Sequence, residues 1–241
     1  MLLSVQLFTV RDAMQADPVG TLRRLRSIGL DRVELAGTYG LAVRDFRAML
    51  DDAGLLVSGS HLGIDRFEND LQSVVDEHRD LGCDRVILPW IGEEVYAAGP
   101  EALARRLGAI AQGCEANGLE FAYHNHAFEL EQGWLGTMFG TAPANVRAQL
   151  DLGWIYAAGE DPVHWLQMLA GRVPTVHLKD MTDDPTNRDA VAGQGRLDWD
   201  AILPACQAAG VLVGVIEMDV PPGDPFDCVE RCYQFFQSKI G

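Results

Sequence analysis

Short apolar runs rich in β-branched residues recur along the chain, separated by longer stretches whose apolar positions fall at helical spacing. The runs are "LSVQLF" (3–8), "DRVELA" (31–36), "LLVSGSH" (55–61), "DRVILPW" (84–90), "LEFAYHN" (119–125), "VRAQLD" (146–151), "VPTVHLK" (173–179) and "VLVGVIE" (211–217). Between them lie helical stretches such as "DPVGTLRRLRSIG", "LAVRDFRAMLDDAG", "LQSVVDEHRDLG", "PEALARRLGAIAQGCEANG" and "DWDAILPACQAAG". Several close on Gly just before the next run, as a helix C-cap and a tight αβ turn require. Eight strand–helix units without a break in composition predict an α/β chain forming one (β/α)8 TIM barrel, a single domain over residues 1–241. A doubly wound sheet is the rival. It would carry a Gly-rich phosphate fingerprint after an early strand, and "LAGTYG" is too loose to supply one.

Composition narrows the setting. Hydrophobic residues make up 48% of the 241, enough for a large core, and no apolar run has the roughly 18 residues of a membrane span. Five scattered cysteines without metal-type spacing read as reduced thiols of a cytoplasmic protein. With 19 basic against 35 acidic residues the net charge is −16. Such a surface repels a phosphate backbone, so nucleic acid is a poor partner, and the lack of an apolar span argues against the membrane. The charge does not identify the substrate, which is expected to be a small molecule. A homo-oligomer is compatible with the pattern.

In a barrel, chemistry gathers at the carboxyl ends of the strands. There the chain places Glu34, His61, His124 with Asn125, Asp151, His177 with Lys179, and Glu217. Each of these costs desolvation unless paired or bound to metal, so their concentration at one end points to a site. His124, Asp151, His177 and Glu217, one from each of four successive strands, form the candidate metal set. Two imidazoles with two carboxylates suit one divalent cation (Mn²⁺, Zn²⁺, Co²⁺ or Mg²⁺) without choosing among them. His126 is expected at the loop rim. His78 and His164 fall in helical stretches and are expected to be packing or solvated residues. Trp90 and Trp154 can wall a sugar ring, and His61, Glu34 and Arg196 are candidate substrate contacts. Lys179 reads as a substrate contact or as half of a pair with Asp180 that holds His177. Glu129 belongs to the rim or to a supporting position behind the site, "GQGRLDW" to a loop over the mouth, and Asp198 within it to a helix N-cap.

Taken in order, "VQLFTVRD", "VELAG", "SGSHLG", "YHNHAFEL", "QLDLGWIYAAGEDP", "VHLKDM", "GQGRLDW" and "VIEMD" resemble the xylose isomerase-like TIM-barrel proteins across essentially the whole chain. That family comprises sugar phosphate isomerases/epimerases, with inosose dehydratases and type-IV apurinic endonucleases as relatives. The resemblance implies one divalent metal at the ends of strands five to eight, here His124, Asp151, His177 and Glu217. The family's epimerases usually carry Glu on strand five, where this chain has His124.

The resemblance further implies an enediolate reaction, in which the proton of a C–H beside a metal-bound carbonyl is removed and its electron pair passes into the carbonyl. Isomerisation, epimerisation and loss of water all pass through it. Glu217 is the expected base, with His126 or Lys179 serving the other face or a leaving hydroxyl. The chain is thus expected to be a metal-dependent sugar isomerase or epimerase. A keto-sugar or inosose-type dehydratase is the runner-up, and a non-catalytic sugar-binding barrel is the third reading. Apurinic endonuclease activity is disfavoured: Trp154 stands where those enzymes place a zinc-binding His, and "TNRDAVAGQG" lacks their Asp-x-His pair.

Overall fold

The computed structural model describes residues 1–184 and 188–240. Its centre is a closed barrel of eight parallel strands, the predicted (β/α)8 architecture. We number them in chain order: β1 Leu2–Gln6, β2 Arg32–Leu35, β3 Leu56–His61, β4 Arg85–Leu88, β5 Glu120–His124, β6 Arg147–Asp151, β7 Thr175–Leu178 and β8 Val213–Ile216. The ring closes between β1 and β8, with Leu2 opposite Val213 and Val5 opposite Ile216. β4, β7 and β8 are buried along their whole length, as parallel strands covered by helices must be.

The sequence shows why the outer helices stop where they do. Pro18–Ile28 starts with Pro at its first position and with Asp17 Oδ1 accepting from Gly20 N at 2.9 Å. Leu71–Leu81 ends at Gly82, whose φ of 66° is a conformation that only Gly adopts cheaply. Asp198 caps Trp199–Ala209 by accepting from the amides of Asp200 and Ala201, as its place in the sequence suggests. No helix among the described residues is long and apolar enough to cross a membrane.

Two features depart from the sequence reading. Several runs extend beyond the strands they mark, so Asn125, Lys179 and Glu217 lie just past strand ends rather than in them. And a small antiparallel ribbon, Asp180–Met181 with Asp189–Ala190, follows β7. Register carries the site. In parallel strands, side chains of paired residues point the same way. The pairings Gln6–Glu34, His124–Gln149 and Asp151–His177 therefore set polar groups side by side within the barrel.

Candidate active site

The polar residues at the carboxyl ends of the strands form two layers. In the lower one Glu34, fully buried, accepts from Gln6 Nε2 (2.9 Å), Gln149 Nε2 (2.6 Å) and His177 Nε2 (2.7 Å). His61 Nε2 lies 3.1 Å from the same carboxylate and 2.8 Å from Gln149 Oε1. His124 Nδ1 also faces Gln149 Oε1, at 3.2 Å. Carboxylate and amide oxygens only accept, so each of these ring nitrogens carries a proton. In the neutral His124 ring the lone pair is thereby left on Nε2.

The upper layer is built on Asp151, His177 and Glu217, whose ligand-capable atoms all lie within 4.8 Å of one another. His177 Nδ1 is 2.7 Å from Glu217 Oε2 and 3.7 Å from Asp151 Oδ2. Asp151 is oriented by Trp154 N, which donates to its Oδ1 at 2.8 Å, and by its own amide donating to Asn125 Oδ1. Its buried Oδ2 has no hydrogen-bond donor, although Lys179 Nζ stands 3.2 Å away. That ammonium also meets Glu217 Oε2 at 2.9 Å and Asp219 Oδ2 at 2.7 Å.

Electrostatics follows from this packing. Burial opposes charge on His177 and Lys179, but the carboxylates around each raise both pKa values well above the ordinary range. Burial would likewise push Glu34 and Glu217 up. The imidazole charges of His61 and His177 reverse this for Glu34, and those of His177 and Lys179 for Glu217, so both carboxyls stay well below the usual range. His124 moves the other way: burial, then the charge of His177, keeps it neutral. Burial also lowers His126 to about 4.

Above these layers opens a cavity of about 520 Å³. His61, His124, His126, Glu217 and Asp219 supply its polar wall. Phe8, Ala36, Gly37, Pro89 and Trp90 supply the rest. The ring of His126 lies 5.3 Å from that of Trp90 and 5.9 Å from that of Trp154, and its buried Nδ1 has no partner.

The structure brings most of the expected residues together but redistributes their positions. Asp151, His177 and Glu217 cluster. His124 instead groups with His61 and His177, because its Nδ1 is drawn down to Gln149. Glu34 lies beneath the imidazoles, sealed from the cavity by them, and is not on the wall where a substrate contact would sit. Lys179 is fully buried among three carboxylates, so it does not reach out to a substrate.

Asp180 does not hold His177. It accepts from the amides of Met181, Gly193, Gly195 and Leu197 and from Trp199 Nε1. The "GQGRLDW" segment therefore folds onto Asp180, and none of its residues lines the cavity. Arg196, within it, pairs at the surface with Asp183 at 2.9 Å. Trp154 stands behind the cavity wall, 5.0 Å from Lys179 Nζ. Of its two expected places Glu129 takes the one behind the rim: it is buried, accepting from Tyr123 Oη and His126 N. His78 is buried against Val74 O within its helix, and His164 is exposed, as helical positions suggested.

Gln6, Gln149 and Asp219 were missed. Each has a readable signal, since Gln149 and Asp219 stand two residues from Asp151 and Glu217, and Gln6 is polar inside an apolar run.

Comparison with known proteins agrees with this architecture. Residues 22–227 match the family described as xylose isomerase-like TIM barrel. An inosose dehydratase from Bacillus anthracis is 26% identical over 167 residues, 58% of this chain and 55% of that protein. The match thus spans little more than half the length of that relative. A sugar phosphate isomerase/epimerase from Parabacteroides distasonis superposes with a TM-score of 0.84 at 20% identity, covering 98% of this chain and 93% of that one. The IOLI protein with a bound zinc atom gives 0.76 at 16% identity, covering 99% and 97%. At these identities the two structures speak for the fold.

Proposed function

The chain belongs to the xylose isomerase-like TIM barrel family, and from that premise we propose that it is a divalent-metal-dependent sugar isomerase or epimerase. It removes a proton from the carbon beside a carbonyl of a sugar or polyol ketone. The observation that carries this reading is the Asp151–His177–Glu217 cluster beside a cavity that Glu217 and His126 both line.

The donor set fits a divalent cation on two grounds. Asp151 Oδ2 is a buried carboxylate oxygen without a hydrogen-bond donor, met by the Lys179 ammonium at 3.2 Å as an ion pair. And His177 turns Nδ1 to both carboxylates while Nε2–H donates to Glu34, the carboxylate–imidazole arrangement that orients a metal-binding ring. Asp151, His177 and Glu217 would hold the ion, with His124 beside them. When bound, a divalent ion supplies Lewis acidity that polarises substrate oxygens and acidifies the neighbouring C–H. The zinc in the IOLI protein is consistent with such a centre.

The chain's own residues do the rest. Glu217, kept ionised by His177 and Lys179, accepts the carbon-bound proton. The charge left on the substrate delocalises into its carbonyl as an enediolate. His126, neutral near pH 7 and lining the cavity, moves a proton between substrate oxygens. In the metal-free arrangement Lys179, itself paired with Asp219, holds Glu217 in place. Loss of water from the same enediolate is a second reading, favoured by the inosose dehydratase relatives.

The test is proton exchange in D₂O with added Mn²⁺ over a panel of keto-sugars and inososes. Deuterium should enter the carbon beside the carbonyl, and Glu217→Gln should slow this by roughly 10²–10⁴-fold. A product lighter by one water would select the dehydratase reading. Absence of both exchange and water loss across the panel would refute the proposal.

A further inference from the structure

A lysine buried as deeply as Lys179 needs counter-charges, and the chain gathers three of them. Its Nζ lies 2.7 Å from Asp219 Oδ2, 2.9 Å from Glu217 Oε2 and 3.2 Å from Asp151 Oδ2. The last two oxygens are also the ones that His177 Nδ1 faces, at 2.7 and 3.7 Å. The ammonium therefore shares both carboxylate oxygens with the candidate metal cluster. Asp219 stands outside that cluster. It makes the shortest of the three contacts, and its side chain is 34% exposed at the cavity wall.

The enclosure fits this one side chain. Gly153 lies in the first turn of the helix Leu152–Ala157, and a Cβ there would sit 2.8 Å from both Lys179 Cγ and Lys179 O. Any residue larger than Gly would push the lysine stem aside. Trp154 follows, its ring 5.0 Å from Nζ, and an indole face attracts a cation. Asp151, Gly153 and Trp154 in "QLDLGW", Lys179 in "HLKD", and Glu217 with Asp219 in "VIEMD" thus build one pocket for one ammonium.

Resting on the proposed function for its metal, we infer that Lys179 is a tethered cation that competes with the divalent ion for Asp151 Oδ2 and Glu217 Oε2. Asp219 is the anchor to which it retreats. A positive charge a few ångströms from the ion opposes binding, and a lysine left without any carboxylate would oppose it more. Lys179 and Asp219 together set how tightly the ion is held. Lys179 is a positioning residue and touches no substrate.

Calorimetric titration of chelator-stripped protein with Mn²⁺ tests this without turnover. Lys179→Met, similar in length and uncharged, should bind Mn²⁺ about tenfold or more tightly than the unaltered chain. Asp219→Asn removes the anchor and should weaken binding about tenfold. In the Lys179→Met background the same Asp219→Asn change should shift affinity by less than about threefold, because its effect passes through the ammonium. Unchanged or weaker binding by Lys179→Met would overturn the inference. So would an Asp219→Asn effect that persists undiminished in the double variant. No binding by any of the four proteins would remove the proposed metal together with the inference, whereas binding indifferent to Lys179 would remove the inference alone. Should Lys179→Met fail to fold, crystals of the unaltered chain loaded with Mn²⁺ decide. Nζ on Asp219 alone upholds the exchange, and Nζ still on Asp151 and Glu217 beside the bound ion overturns it.

Discussion

Glu34 illustrates how much one side chain can organise. Four donors from four strands meet its carboxylate, at sequence separations of 28, 115 and 143 residues for Gln6, Gln149 and His177. Replacing it with Ala leaves a buried imidazolium and two buried amides without their acceptor. The expected loss is about 3 kcal/mol in urea unfolding, as for removal of one partner from a buried ion pair. Glu34→Gln keeps an acceptor and should lose less. Sequence alone reveals that Glu34 is at a strand end. It does not reveal that the residue faces its neighbours rather than a substrate, because that depends on which residues long-range register places beside it. Lys179 misleads for the same reason: in "HLKD" it reads as a free cation, and only folding puts Asp151, Glu217 and Asp219 around it.

At the scale of elements, the strands were legible because burial on both faces leaves continuous apolar runs. Their polar ends were legible because barrel strands all deliver their carboxyl ends to one side. The segment after β7 was not, because its order comes from Asp180 accepting five hydrogen bonds rather than from any periodicity. Asp180→Ala should therefore free the amides of Gly193, Gly195 and Leu197 to exchange with solvent, while amides of β1 and β8 keep their protection. The expected cost is about 3 kcal/mol, since several buried donors lose their acceptor together. Gly195→Ala is a second check. A Cβ there would lie 2.6 Å from Met181 O, and the overpacking should cost about 2 kcal/mol.

For the whole molecule, buried acids make stability depend on pH. Burial raises Glu129 from 4.5 to about 7 despite its hydrogen bonds from Tyr123 and His126, and raises Asp189 from 3.8 to about 6. A carboxyl whose folded pKa is raised favours the native state fully below its unfolded pKa. That advantage is lost as pH rises through the folded value. Stability from Glu129 should thus fall between pH 4.5 and about 7, by on the order of 3 kcal/mol. Glu129→Gln should flatten unfolding free energy over that window, and an unchanged slope would contradict the assignment. The central claim, a cation held where Lys179, Asp151, His177 and Glu217 converge, is tested most directly by anomalous diffraction at the manganese edge from crystals loaded with Mn²⁺. One peak bonded to Asp151, His177 Nδ1 and Glu217 is expected, with Lys179 displaced toward Asp219. No peak there, with the Lys179 ammonium still on Asp151 and Glu217, would contradict it.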